Sequence, residues 1–256
     1  MTQPTTITLN DGATIPQLGF GVFQVDSAQT QEMVETALEA GYRHIDTAAA
    51  YNNEAGVGAA LRASGLSRDE VFITTKLRNG DQGYDSALRA YQDSLVRVGL
   101  ETVDLYLIHW PKPMDDLYSD SWKALNQLKQ DGRVRSIGVS NFLPEHLDRI
   151  INDTGVKPTL NQIELHPTFQ QTELVDYCRQ LGVAVESYSP LGRGTDLEQP
   201  AVVAAAEKYG VAPAQVVIRW HLQNGYVVID VETAEVDMAL EQLKAIPGTI
   251  KARVLY

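Results

Sequence analysis

Short apolar runs alternate along this chain with longer stretches whose apolar residues recur at helical spacing. Thr6 to Phe23 reads as a hairpin: Ile7 and Leu9 precede the turn Asn10-Asp11-Gly12, and Ile15 to Leu18 follow it. Gly12 can take the positive φ such a turn needs. Ser27 to Ala40 then places Met33, Val34, Ala37 and Leu38 on one helical face, with Asp26 or Ser27 as N-cap and Gly41 just past the end. The first strand of the series is Tyr42–Asp46. A helix near Glu54 to Ser64 precedes a strand ending at Lys76, and Tyr84–Val98 precedes a strand ending at His109. The same rhythm continues through helix Ser119–Asp131, strand Ser136–Val139, helix Pro144–Asp153, strand Thr159–Leu165, helix Gln171–Leu181 and strand Val183–Ser187. Two helical stretches, Pro200–Tyr209 and Pro213–Gln223, lead to a seventh strand at Tyr226–Val231. A helix at Ala234–Ile246 leads to an eighth at Thr249–Tyr256. Strands alternating with helices predict an α/β fold, a (β/α)8 TIM barrel with an N-terminal β-hairpin, as a single domain over residues 1–256.

The first three strands end in different polar groups: a carboxylate at Asp46, an ammonium at Lys76 and an imidazole at His109. A parallel sheet brings all of these C-terminal ends to one face, where such folds place their chemistry. Tyr51 lies in the loop after Asp46. An acid, a phenol, an amine and an imidazole converging on one rim make a proton-donating site.

Charge and composition narrow the partners. The formal net charge is −12, which opposes binding to nucleic acid or an anionic membrane. A single cysteine, Cys178, permits no intrachain disulfide and fits a reducing compartment. Met1 to Ile7 has neither the basic nor the apolar region of a secretion signal. No apolar run approaches the ~20 residues needed to span a bilayer. A soluble, cytoplasmic monomer acting on a small molecule is expected, with no metal, because no His/Cys/carboxylate cluster has ligand spacing.

Residues 5–229 resemble the aldo-keto reductases, and within them the bacterial 2,5-diketo-D-gluconate reductase group. The resemblance is carried by Gly41-Tyr42-Arg43-His44-Ile45-Asp46-Thr47-Ala48, Phe72-Ile73-Thr74-Thr75-Lys76-Leu77 and Asp104-Leu105-Tyr106-Leu107-Ile108-His109-Trp110-Pro111. It continues through Ser136-Ile137-Gly138-Val139-Ser140-Asn141-Phe142, Asn161-Gln162-Ile163-Glu164-Leu165-His166-Pro167 and Ser187-Tyr188-Ser189-Pro190-Leu191-Gly192.

The resemblance implies reduction of an aldehyde or ketone, such as a keto-sugar acid, by hydride transfer from NAD(P)H. Tyr51 would donate the proton, Lys76 would lower its pKa, Asp46 would hold Lys76, and His109 would orient the carbonyl. It also implies that Ser140, Asn141 and Gln162 bind the nicotinamide carboxamide and that Tyr188 stacks on the ring. Thr47, Ser189, Leu191 and Gly192 would line the path of the cofactor. Val22, Phe23, Trp110 and Phe142 would form an apolar substrate rim, with Arg78 where close relatives carry a tryptophan. His44 and His166 are expected to be structural. The chain has no GxGxxG motif, so the cofactor is not held in Rossmann fashion.

After Ile229 the likeness is to a different protein. Where the family carries a lysine and an arginine for the 2′-phosphate of NADPH, this chain has Asp230-Val231-Glu232-Thr233. Residues 226–256 resemble the end of the ACT domain of D-3-phosphoglycerate dehydrogenase. The expectation is a barrel truncated or replaced after its seventh strand, with the atypical tail supplying strands seven and eight. NADPH binding would then be weakened and NADH possible as donor. The alternative is a chimeric, cofactor-site-damaged barrel with weak or no reductase activity. A non-enzymatic binding protein on this fold is disfavoured by the complete set of four polar groups.

Overall fold

A computed structural model describes residues 5–230. Strands β1 (Thr6–Thr8) and β2 (Thr14–Pro16) form the antiparallel hairpin, turned at Gly12 with φ +88°. Eight parallel strands follow in a closed barrel: β3 (Leu18–Gly21), β4 (His44–Asp46), β5 (Phe72–Leu77), β6 (Leu105–Ile108), β7 (Ser136–Ser140), β8 (Leu160–Glu164), β9 (Ala184–Tyr188) and β10 (Val227–Asp230). The helices between them are α1 (Thr30–Ala40), α2 (Glu54–Ala63), α3 (Tyr84–Val98), α4 (Tyr118–Gln130), α5 (Pro144–Thr154), α6 (Thr172–Leu181), α7 (Pro200–Tyr209) and α8 (Pro213–Gln223). No single helix among the described residues is long and apolar enough to cross a membrane.

The barrel is the expected one, but its strands are counted differently. Leu18–Gly21, expected at the end of the hairpin, is the first barrel strand, and Tyr42–Asp46 contributes the second. Val227–Asp230 is therefore the eighth strand rather than the seventh. It closes the barrel by pairing with both β9 and β3. The barrel needs no strand at Thr249–Tyr256, and that segment, with the helix expected at Ala234–Ile246, lies outside the described residues. Glycine hides β3 from propensity, because Leu-Gly-Phe-Gly reads as a loop. A Cβ on Gly19 would stand 2.6 Å from His44 Nδ1 and 2.7 Å from Ile229 Cδ1, so close packing with the neighbouring strands dictates the residue.

A second difference concerns the start of α1. Neither Asp26 nor Ser27 caps it; Gln29 precedes the helix and makes no side-chain cap. Asp26 instead shapes the turn before it, accepting from the Ala28 N–H on its carboxylate and from Thr30 on its carbonyl. Gly41 does end α1 in the left-handed conformation, at φ +104°.

The core has two parts. One lies between strands and helices and includes Ile45, Ile73, Tyr106, Ile108, Val139, Ile163 and Trp122. The other plugs the lower barrel with Phe72, Leu105, Leu107, Leu160 and Val227, against Leu9 and Ile15 of the hairpin region. Polar residues succeed this plug toward the C-terminal ends of the strands, where the chemistry collects.

The packing of α2 on α3 gives a sharp test. A Cβ on Gly58 would lie 1.7 Å from the Val98 carbonyl oxygen. Alanine ordinarily improves a helix interior by about 1 kcal/mol over glycine. Here the clash with backbone dominates, and overpacking typically costs ~1–3 kcal/mol. Gly58→Ala is expected to lower the thermal midpoint, whereas a rise would show that α2 can shift freely away from α3.

Candidate active site

Four side chains expected to act together converge at the C-terminal rim. Lys76 on β5 is fully buried, and its Nζ reaches Asp46 Oδ1 on β4 at 2.5 Å. The same ammonium donates to the Thr47 carbonyl at 3.1 Å and to the Tyr51 hydroxyl oxygen at 3.3 Å. All three ammonium hydrogens are thus assigned, and the hydrogen of Tyr51 remains free to be donated onward. Tyr51 sits in a single turn of 3-10 helix, Ala49–Tyr51, with Phe23 at 5.1 Å and the His109 ring edge-on at 5.6 Å. His109 follows β6, and no described residue hydrogen-bonds its ring.

Electrostatics assigns protonation states to these groups. Burial alone would lower the Lys76 pKa, but Asp46 and then Tyr51 reverse this and hold it above its ordinary value. His109 is pushed down to about 3, by burial first and by the Lys76 charge second, so its imidazole is neutral. Tyr51 contradicts one expectation: its pKa is raised rather than lowered. Burial is the largest cause; Lys76 pulls the other way, and Asp46 and Glu186 add to the rise. A phenol destined to donate is kept protonated by its burial and these neighbouring carboxylates.

The amides expected at the carboxamide also meet here. Asn141 follows β7 in the left-handed conformation, at φ +63°. It donates to the His109 carbonyl and to Ser140 Oγ, and it accepts from the Tyr188 hydroxyl at 2.9 Å. Ser140 Oγ donates to the Gln162 carbonyl. Gln162 Nε2 donates to Asp46 Oδ2 at 3.0 Å and to Glu186 Oε2 at 2.7 Å, joining this cluster to the Asp46–Lys76 pair. Tyr188 is half-buried, with its pKa pushed up to about 12, chiefly by burial. The chemistry of this donor and acceptor set, beside an aromatic face, fits a nicotinamide carboxamide. Ser189, Leu191 and Gly192 form the turn after β9, where the Gly192 N–H donates to the Ser189 carbonyl. His166 anchors that turn through Asp196, at 2.7 Å, and His44, fully buried, bonds Thr74 at 3.0 Å.

Other expected site residues are placed differently. Val22 and Phe142 are fully buried, Phe142 edge-on to Tyr118 and His146, so neither presents a surface to a substrate. Phe23 and Trp110 are exposed, at 48% and 46%, and Phe23 stands beside Tyr51. Thr47 is fully buried, and its hydroxyl donates to Asn53. Arg78 is held by both nitrogens on Asp81 and lines a cleft of about 260 Å³ with Ala49 and Asn52, which flank the Tyr51 turn. The phosphate-binding segment at Val231 and Glu232 lies outside the described residues.

Two residues were missed by sequence reasoning. Asn53 clamps the loops by donating to the Val22 and Val25 carbonyls, and nothing in its neighbourhood marks it. Glu186 had a legible signal: it is a carboxylate in the middle of a strand, next to apolar Ala184 and Val185 and on the same face as Tyr188.

The model of the aldo/keto reductase family matches residues 17–247. An aldo-keto reductase of Mycolicibacterium vanbaalenii is 47% identical over 254 residues, covering 95% of this chain and 91% of its own. Methylglyoxal reductase of Yersinia pestis is 50% identical over 231 residues, covering 90% and 83%. A solved aldo-keto reductase of Bombyx mori in complex with NADP superposes with a TM-score of 0.84 at 38% identity, covering 93% of this chain and 87% of its own. The family match continues past residue 229, where the resemblance was expected to stop. A chimeric, damaged barrel is therefore not favoured.

Two outcomes follow from the buried charges. Removing Lys76 would strand Asp46 as an uncompensated carboxylate, a loss of roughly 3–5 kcal/mol for a buried pair. Lys76→Met is expected to lower the urea midpoint strongly, and an unchanged midpoint would show that the pair contributes nothing. The histidines give a pH dependence. His44 and His109 are depressed to about 3 and His221 to about 4, in each case with burial as the largest cause. Their folded values lie below the unfolded value, so the stability is present above about pH 6.5 and is lost as pH falls toward the folded values, by up to ~1.4 kcal/mol per unit for each histidine. Melting temperature should fall between pH 6.5 and 4, and a flat profile there would refute the assignment of neutral buried imidazoles.

Proposed function

We propose that this chain, which belongs to the aldo/keto reductase family, reduces its aldehyde or ketone substrate with Tyr51 as the proton donor. Membership makes it an NAD(P)H-dependent oxidoreductase; the residue roles are our reading. The observation that carries them is the Tyr51 hydroxyl, which accepts from Lys76 Nζ at 3.3 Å while its ring stands edge-on to His109 at 5.6 Å.

NAD(P)H, when bound, supplies the hydride. Ser140, Asn141 and Gln162 would hold its carboxamide, and Tyr188 would support the ring. Neutral His109 donates a hydrogen bond to the carbonyl oxygen and orients it. As negative charge grows on that oxygen, Tyr51 transfers its proton, and Lys76 stabilises the phenolate left behind. A phenol with a raised pKa can still act as the acid, because an alkoxide is far more basic than a phenolate. Phe23 and Trp110 cover the apolar side of the substrate and limit access of water.

Relatives named as methylglyoxal reductase and glyoxal reductase support a small carbonyl next to a second oxygen function. A keto-sugar acid, the substrate of the diketogluconate reductase group, shares that chemistry. We further propose a single-domain, cytoplasmic monomer, supported by the lone buried Cys178 and by a barrel that closes on itself.

Tyr51→Phe should leave the NADPH dissociation constant nearly unchanged and cut kcat by about 10²–10⁴-fold, the usual worth of general acid catalysis. Retention of more than about a tenth of kcat would remove Tyr51 from this role. On cofactor choice, Val231 and Glu232 replace the cationic phosphate contacts in the sequence. We expect NADPH binding to be weakened by roughly 10²–10⁴-fold relative to a site with both cations, and NADH to lose less. Titration of both nucleotides against tryptophan fluorescence decides this; tight, salt-sensitive NADPH binding would show that other cations serve the phosphate.

A further inference from the structure

Glu186 sits mid-strand in β9, fully buried, and the proposed reaction does not use it. Its Oε2 accepts from Gln162 Nε2 at 2.7 Å, and the same nitrogen donates to Asp46 Oδ2 at 3.0 Å. An amide nitrogen carries two hydrogens, so the two carboxyl groups engage both. These two bonds fix the orientation of the Gln162 amide. With its nitrogen pinned between two acids, its Oε1 points away from them, and no described residue donates to that oxygen. Without Glu186, the amide would be held at one end only.

Charged and titratable neighbours face Glu186 from several elements. Asp46 and His44 come from β4, Lys76 from β5 and Tyr51 from the turn after β4. His44 is neutral, and its Nε2 lies 3.9 Å from Glu186 Oε1. Across the β9–β10 pairing stands apolar Val227. One ammonium thus serves two buried carboxyl groups, an arrangement in which both acids ionise only at considerable cost. Burial and then Asp46 push Glu186 up to about 8, against the pull of Gln162 and Lys76.

We propose that Glu186 is a positioning residue: by sharing the Gln162 amide with Asp46, it aims the Gln162 oxygen at the nicotinamide carboxamide and couples that subsite to the Asp46–Lys76–Tyr51 chain. This rests on the reductase reading above. Two consequences separate it from a space-filling role. Loss of the acceptor at position 186 weakens cofactor binding through Gln162. Loss of its charge alone acts on Tyr51, whose proton ionised Glu186 helps retain.

The test compares wild type, Glu186→Leu and Glu186→Gln as full-length protein, by NADPH titration of tryptophan fluorescence and by the pH profile of kcat with a simple aldehyde. Glu186→Leu should weaken NADPH binding about tenfold, the worth of one well-made hydrogen bond. Glu186→Gln should restore binding, because its carbonyl accepts from Gln162. It should still move the alkaline limb of the reduction profile to lower pH, because the Glu186 charge is one of the influences that raise the Tyr51 pKa. Wild-type binding by Glu186→Leu together with wild-type pH profiles would overturn the proposal, even if melting temperature falls. If Glu186→Leu does not fold, an unmoved alkaline limb in Glu186→Gln overturns it. Wild-type protein that binds neither NADPH nor NADH and reduces no aldehyde with either would instead refute the reductase reading.

Discussion

The buried pair of Lys76 and Asp46 is the constraint on which the rest of the site depends. An ammonium and a carboxylate removed from water are each expensive, and their attraction offsets that cost only when every remaining hydrogen and lone pair is met. The surroundings do this. Lys76 spends its other hydrogens on the Thr47 carbonyl and on Tyr51, and Asp46 Oδ2 takes the Gln162 amide. Satisfying the pair therefore fixes the backbone after β4, the phenol in the next turn and an amide across the barrel. The geometry of the proposed chemistry is a by-product of solvating one ion pair with protein groups.

That pair sits where it does because the barrel interior is divided along its axis. The lower part is filled by Phe72, Leu105, Leu107, Leu160 and Val227 and closed by the hairpin region through Leu9 and Ile15. Water is excluded below, so polar side chains at the upper ends of the strands have a dry floor and an open mouth. A charge on that floor is felt more strongly than it would be at a surface. This accounts for His109 being neutral and for the phenol of Tyr51 being harder to ionise despite an ammonium 3.3 Å away. Sequence reasoning weighed the cation and left out the burial, and burial is the larger effect.

The strands that carry the chemistry were legible because each is a short β-prone segment with a charged or titratable residue at or near its C-terminal end. Asp46, Lys76 and His109 could be placed on a common rim with no further information. β3 was not legible, since its Gly19 is dictated by the side chains of His44 and Ile229 from adjacent strands, a contact that no local pattern encodes. Missing it shifted the strand count by one and made the tail look necessary for closure. Exposure of the aromatic residues was half legible. Aromatic character picks out Phe23 and Trp110 but cannot distinguish them from Phe142, which is equally apolar and turned into the core against Tyr118.

Glu186 shows the limit from the other side. A carboxylate in the middle of a strand is conspicuous in sequence, yet its meaning depends on which residue from another strand meets it. Gln162 lies 24 positions earlier and Asp46 is 116 positions from Gln162, and only barrel closure brings the three together. Two buried acids that share one amide and one nearby ammonium ionise together only at considerable cost. The Lys76 charge is already committed to Asp46 at 2.5 Å. Burial and the Asp46 carboxylate accordingly push Glu186 above the usual carboxylate range, toward a single compensated charge pair with a neutral acid beside it. That is the arrangement with the lowest cost of burial, and it leaves Tyr51 protonated at the mouth of the barrel.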